Sequence, residues 1–168
     1  MVTHDPIAFV SGLQRVSSAL CQHFERTTLH AADLHWSAFV TLCCLWRHGP
    51  LETRRLAHLA GVAKSTLSNI LNGLEQRELV RRRVNQSERR LVTADLTAAG
   101  IDLINALLPK YKTEEARIVS QLSLHTIETM ADAIGVILSA ITGLNGSCEE
   151  HLPLRDPGAR SPWHVLVL

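Results

Sequence analysis

The chain contains 168 residues, of which 46% are hydrophobic and 20% are charged, and its formal net charge is +1. These values predict one soluble globular domain, since the chain is short for two. No apolar run approaches the roughly 18 residues of a membrane span, and the N-terminal residues do not fit the pattern of a signal peptide. We therefore expect a cytoplasmic protein without membrane contact.

Two helices are predicted before residue 50. Asp5 and Pro6 suit a helix start, because a capping side chain followed by proline is a frequent beginning. An apolar stripe carries this helix to about Thr27: Phe9, Leu13, Val16, Leu20 and Phe24. A second helix is predicted over 34–48, after a connector at 30–33, and Gly49-Pro50 ends it. Its apolar side consists of Trp36, Phe39, Val40, Cys43 and Trp46.

Residues 50–77 predict a helix-turn-helix. A short third helix is expected over 52–60, burying Leu56, Leu59 and Ala60, with a tight turn around Gly61. The fourth helix, 64–77, has apolar residues spaced as on one helix face: Leu67, Ile70, Leu71 and Leu74. The opposite face is therefore polar, with small side chains near its start: Ser65, Ser68, Asn69, Asn72 and Gln76.

A wing and two long helices are predicted to follow. Residues 80–84 and 91–95 alternate like paired strands around a polar tip at 85–87. Thr97 caps a fifth helix that bears Ile101, Ile104, Leu108 and Tyr111. Ser123 caps a sixth helix with a nearly continuous apolar stripe: Ile127, Met130, Ala131, Ile134, Leu138 and Ile141. The predicted fold class is mainly α, a winged helix-turn-helix with additional long helices.

The charge distribution favours a polyanion partner, and the cysteine spacing argues against a disulfide framework. Ten basic and four acidic residues lie between Arg47 and Arg90, whereas the rest of the chain has seven basic and twelve acidic residues. A local basic excess of this kind suits nucleic acid. Cys21, Cys43, Cys44 and Cys148 show no CxxC spacing, so no disulfide framework is expected.

Residues 34–142 resemble the MarR family, whose members are dimeric winged-helix DNA-binding regulators. The matching pieces are LAHLAGV at 56–62, KSTLS at 64–68, LE at 74–75 with LV at 79–80, and ERRLV at 88–92 running into LTAAG at 96–100. The resemblance implies a MarR-type domain over 1–145, with the winged helix at 34–100 and dimerisation helices at 5–30 and 98–142. Residues 146–168 form a C-terminal extension beyond the usual family pattern.

The resemblance implies a homodimeric repressor of a pseudo-palindromic operator in double-stranded DNA, released by a small aromatic or lipophilic effector. The candidate DNA-binding residues are Lys64, Ser65, Thr66, Ser68, Asn69, Asn72, Arg81, Arg82, Arg83, Glu88, Arg89 and Arg90. Short polar side chains on the fourth helix suit base edges in the major groove. Arg81, Arg82 and Arg83 are predicted to contact phosphates. Arg90 matches the family's minor-groove arginine, and Glu88 matches the acid that holds it.

Three positions depart from the family pattern. Asn69 lies where a basic residue is frequent, and Asn85 replaces a frequent acid at the wing. Glu78 replaces the glycine that usually follows the recognition helix, so we expect that turn to be made differently.

Candidate effector-binding residues are Arg15, His35 and Trp36, which together offer an apolar surface and partners for an anion.

Two alternatives keep the same fold: an oxidant sensor that uses Cys21, or a zinc-responsive regulator that uses His23, Glu25, His30 and His35. An alternative of another class is a winged-helix protein-interaction module that does not bind DNA. No nucleophile elbow, phosphate loop or HExxH motif is present, so we expect neither an enzyme nor a cofactor or metal.

Overall fold

The computed structural model describes residues 6–84 and 92–144. The predictions for Asp5, the wing residues 85–91 with the predicted tip at 85–87, Cys148 and the extension at 146–168 therefore lie outside the described residues. The chain forms two compact units, Met1–Glu114 and Glu115–Leu168, and the boundary falls within a helix.

Helices dominate the described residues, and the prediction of a mainly helical winged-helix fold is confirmed. Helix α1 (Pro6–Phe24) continues into a π-helical turn (Glu25–Leu29) and a 3-10 turn (His30–Ala32). The remaining helices are α2 (Trp36–His48), α3 (Thr53–Leu59), α4 (Lys64–Gln76), α5 (Ala98–Val119) and α6 (Leu124–Leu144). The strands are β1 (Leu51–Glu52), β2 (Val80–Val84) and β3 (Val92–Leu96).

The three strands form an antiparallel sheet in the order β1-β3-β2. Leu51 of β1 and Arg82 of β2 both pair with Ala94 of β3. The sequence did not predict β1, and it placed the start of the third helix at Glu52, which belongs to this strand instead. A two-residue strand shows no periodicity, so its position becomes evident only from its pairing with β3.

The core of the first unit combines aliphatic residues of α2 to α5 with one aromatic cluster. Phe24 stacks on Tyr111 with ring centroids 4.5 Å apart and on Trp36 at 5.7 Å, and Phe39 lies 5.4 Å from Tyr111. The predicted apolar side of the second helix was partly wrong, because Trp46 is 46% exposed. The buried aliphatic positions of α2 are instead Leu42 and Leu45.

The turn after α4 adopts the conformation that glycine would take. Glu78 has a φ of 57°, in the left-handed region. Its N–H donates to the carbonyl of Glu75, and the N–H of Leu79 donates to the carbonyl of Leu74, both at 2.9 Å. These two bonds form a Schellman motif, with Leu74 and Leu79 both buried. The expectation of a different turn was therefore wrong, because glutamate accepts the strained backbone here.

Two helices carry large exposed apolar side chains. On α1 these include Phe9 and Val16, each 56% exposed, and on α6 they include Met130 and Ile141. The segment Leu124–Ile141 has a mean hydropathy of 1.4, enough to cross a membrane by length and composition alone, and none of it is buried. The sequence expectation concerned uninterrupted apolar runs, and Glu128 and Asp132 interrupt this one, so the segment was not predicted.

Candidate nucleic-acid interface

Helix α4 presents one exposed polar face. It begins directly after a turn in which Gly61 adopts a φ of 65° and Val62 donates to the carbonyl of Ala57 at 3.0 Å. Leu67, Leu71 and Leu74 are buried. The six polar candidates on this helix are all exposed: Lys64, Ser65, Thr66, Ser68, Asn69 and Asn72. The apolar periodicity therefore places these side chains where another molecule can reach them.

An open depression of about 510 Å³ separates the start of α4 from α3 and the wing. Its lining includes Lys64 and Ser68 from α4, Arg54 from α3 and Arg82 from β2. Among the described residues, no ion pair involves Arg54 or Lys64. Arg54 lies within the basic stretch but was not among the residues predicted to bind DNA. Only the fold shows that it lines the same depression as Lys64.

The wing arginines differ in their surroundings. Arg81 pairs with Asp95 at 2.8 Å. Arg82 pairs with Glu75 at 2.6 Å and donates to Oδ1 of Asn72 at 2.7 Å. The hydrogen bonds from Arg82 hold the pKa of Glu75 below its ordinary value. Arg83 is exposed, and no ion pair with another described residue involves it.

Three candidates of the wing, Glu88, Arg89 and Arg90, lie outside the described residues.

The end of α4 is tied to the junction that precedes α2. The two terminal nitrogens of Arg77 donate to the carbonyl oxygens of Asp33 and Ala32, at 2.8 and 2.7 Å. Asp33 itself has a φ of 48°. Nearby along the chain, Glu25 accepts a 2.6 Å hydrogen bond from the N–H of Trp36 and so caps the start of α2. This role of Arg77 was not predicted, because carbonyl partners more than forty residues away leave no local sequence pattern.

The candidate effector residues occupy different surroundings. Trp36 is half-buried in the aromatic cluster, whereas the side chain of His35 is 90% exposed and lies 3.8 Å from Glu25. Arg15 is exposed on α1, in a shallow groove lined by residues of that helix alone. His35 and Trp36 do not line this groove.

The residues of the zinc alternative do not converge on one site in the part of the chain that the structure describes. Within residues 6–84 and 92–144, no group of three or more His, Cys, Asp or Glu side chains is placed to hold a metal ion. His23 contacts Glu114 instead. Burial, and then the charge of Glu25, raise the pKa of the Cys21 thiol, while a backbone hydrogen bond lowers it.

Comparison with known proteins identifies the family. The MarR family model matches residues 34–92. The chain is 32% identical over 116 residues to the transcriptional regulator YwaE of Bacillus subtilis, covering 69% of this chain and 68% of YwaE. It is 36% identical over 89 residues to the transcriptional repressor NicR of Pseudomonas putida, covering 53% of each protein.

A solved structure supports the same assignment. The crystal structure of the S. aureus MepR–DNA complex matches with a TM-score of 0.73 and 27% identity, covering 79% of this chain and 97% of MepR. The chain therefore belongs to the MarR family of winged helix-turn-helix proteins, and it is a DNA-binding transcriptional regulator and not an enzyme.

Proposed function

We propose that this regulator is a cytoplasmic, sequence-specific repressor that binds a pseudo-palindromic operator as a homodimer and is released by a small aromatic or lipophilic effector. The observation that carries the proposal is the exposed polar face of α4, bordered by the cations Lys64 and Arg54. A helix with short polar side chains near its N-terminus fits the major groove. Cations beside such a helix neutralise phosphates and hold it in register.

The relatives support DNA binding and repression. NicR is a repressor by name, and MepR was crystallised on DNA. In this chain, Ser65, Thr66, Ser68 and Asn69 are proposed to reach base edges, and Lys64 and Arg83 to contact phosphates. Arg90, with Glu88 and Arg89 beside it, is proposed to enter the minor groove as the family resemblance implies.

A second copy of the chain is the proposed partner of α1 and α6. An exposed apolar stripe along a helix needs a covering surface, and the helices assigned to dimerisation, 5–30 and 98–142, carry such stripes. Two-fold symmetry would present two recognition helices to two half-sites, which is why a pseudo-palindrome is expected.

The proposed effector site uses Trp36 as its apolar wall and His35 as its polar partner, without Arg15, which lines a separate groove on α1. The support is that the Trp36 indole is partly accessible at the edge of the aromatic cluster, directly after an exposed imidazole. A small aromatic anion would find both stacking surface and a hydrogen-bond donor there.

A mobility-shift series on the DNA that flanks the gene for this chain tests the proposal. We expect a discrete shift at a pseudo-palindromic segment, weakening steeply as salt concentration rises, because phosphate contacts release counterions. A scrambled duplex of equal length is the control. A shift of equal strength on both duplexes would contradict sequence-specific binding, and the absence of any salt-dependent shift would favour the protein-interaction alternative.

A further inference from the structure

Arg82 reaches from β2 to the exposed face of α4 and holds two side chains there. Its Nε and one terminal nitrogen donate to Oε2 of Glu75 at 2.9 and 2.6 Å. The backbone N–H of Arg82 donates to Oε1 of the same carboxylate at 3.1 Å. The terminal nitrogen also donates to Oδ1 of Asn72 at 2.7 Å. Two bonds to Glu75 therefore fix the guanidinium that contacts Asn72, and a third, from the Arg82 backbone, holds the same carboxylate.

This contact determines which way the Asn72 amide faces. A guanidinium has only hydrogen-bond donors, so the atom that Asn72 turns toward it must be the carbonyl oxygen. The Asn72 amide nitrogen, which carries two donors, then points away from Arg82. Asn72 is exposed and lies one helical turn after Ser68, on the polar face of α4.

We propose that Arg82 is a positioning residue for base readout: it makes Asn72 present only a hydrogen-bond donor to DNA, so that α4 disfavours cytosine at the base that Asn72 contacts. This inference rests on the proposed DNA-binding function. It replaces the predicted phosphate contact of Arg82 with a role inside the protein.

The base edges explain the direction of the preference. In the major groove, guanine offers N7 and O6, adenine offers N7 and thymine offers O4 as acceptors, whereas cytosine offers the N4 donor. A donor facing a donor forms no hydrogen bond and leaves both groups unsatisfied. An unrestrained asparagine can instead use its oxygen and nitrogen together on adenine. When Arg82 fixes the amide, Asn72 loses this two-bond contact with adenine. It can then only donate a hydrogen bond to bases that offer an acceptor.

Selection from randomised duplexes with the full chain, followed by titration of matched duplexes, tests this proposal. The contacted position is the one at which Asn72→Ala loses base preference. There we expect wild type to bind the cytosine duplex about five- to ten-fold more weakly than the guanine duplex. Asn72→Asp keeps an oxygen for Arg82 but offers a second oxygen to DNA, so we expect cytosine to become the preferred base.

Arg82→Lys tests the positioning role itself. Lysine keeps a positive charge for Glu75 but lacks the planar fork that reaches Glu75 and Asn72 together. We expect a folded variant, checked by circular dichroism, whose Asn72 amide can turn and whose preference at this position shifts toward adenine. If Arg82→Lys does not fold, the wild-type titrations decide the proposal, because binding of the cytosine duplex as tightly as the guanine duplex would overturn it.

The outcomes separate this inference from the proposed function. If wild type selects no duplex at all, sequence-specific binding fails and the inference fails with it. If wild type selects an operator but Asn72→Asp leaves every base preference unchanged, or folded Arg82→Lys retains the wild-type preference, only the role assigned to Arg82 and Asn72 is overturned.

Discussion

Gly100 lies against the backbone of Leu79 so closely that a Cβ on Gly100 would be 2.1 Å from the Leu79 carbonyl oxygen. The same oxygen accepts a 3.1 Å hydrogen bond from the N–H of Thr97. The Thr97 hydroxyl donates to the carbonyl of Glu78 at 2.5 Å and accepts from the N–H of Gly100 at 3.1 Å. The start of α5 is thus bound to the turn that ends α4, which gives the LTAAG segment at 96–100 a physical reason.

Replacing Gly100 by alanine should destabilise the protein. The new methyl group would overlap backbone, which cannot rotate away, and we expect a loss of about 2–3 kcal/mol in the free energy of unfolding. Gly73→Ala is the matched control, because nothing lies within 4 Å of its added Cβ. That change should stabilise α4 by about 0.5–1 kcal/mol. Chemical denaturation at one fixed protein concentration measures both variants, and equal effects would refute the close approach.

Glu78→Gly should stabilise the fold. The left-handed conformation costs a non-glycine residue about 1–2 kcal/mol, and Glu78→Gly removes this cost. Glycine also makes the unfolded chain more flexible, which lowers the stability of the variant by about 0.5–1 kcal/mol. We therefore expect a net gain of about 0.5–1 kcal/mol. Gly61→Ala is the reciprocal change, since Gly61 has a φ of 65° and open space around it. Gly61→Ala should lower the free energy of unfolding by about 1 kcal/mol. If Gly61→Ala is instead more stable than wild type, the left-handed backbone angles do not limit the stability of these two turns.

Cysteine chemistry should not control DNA binding. The pKa of Cys21 is raised, chiefly by burial, and burial raises the pKa of Cys43 to about 12 and that of Cys44 to about 11. At these three positions thiolates, which react with peroxide, are therefore scarce at neutral pH. Peroxide should leave the operator affinity of wild type and Cys21→Ser unchanged. Release of wild type by peroxide, with Cys21→Ser spared, would instead establish an oxidant sensor.

The protein should be an obligate homodimer. Ile134 belongs to the apolar stripe of α6, and a glutamate there would place a charge in the proposed interface, so Ile134→Glu should shift the sedimentation coefficient toward that of a monomer or unfold the chain. Val136 is two residues further, about 200° around the helix, and is 71% exposed. Val136→Glu should remain dimeric. A folded wild-type monomer at micromolar concentration would contradict the proposal.

The periodic segments were predictable because their burial is one-sided. The leucines of α4 specify both a helix and its outward face, and the alternation of Ala94 and Leu96 in β3 specifies a strand with one buried side. Thr97 and Ser123 were also correctly predicted as caps, since each accepts a hydrogen bond from the N–H three residues later.

Features that depend on distant partners were not predictable. Long cationic side chains such as those of Arg77 and Arg82 can reach solvent, phosphate or protein, and sequence spacing does not distinguish these destinations. Arg82 turns toward α4 because Glu75 lies on the neighbouring helix edge. The π-helical turn at 25–29 shares the helical pattern of α1, so composition does not reveal it.

Fluorescence-anisotropy titrations of operator and scrambled duplexes, over a range of salt concentrations, test base reading by α4 most directly. Arg83→Ala should weaken both duplexes and flatten the slope of log affinity against log salt by about one unit; the proposed Arg90 contact predicts the same for Arg90→Ala. Asn69→Ala should keep the slope and cost about 1–3 kcal/mol on the operator alone. If Asn69→Ala weakens both duplexes equally, α4 does not read bases.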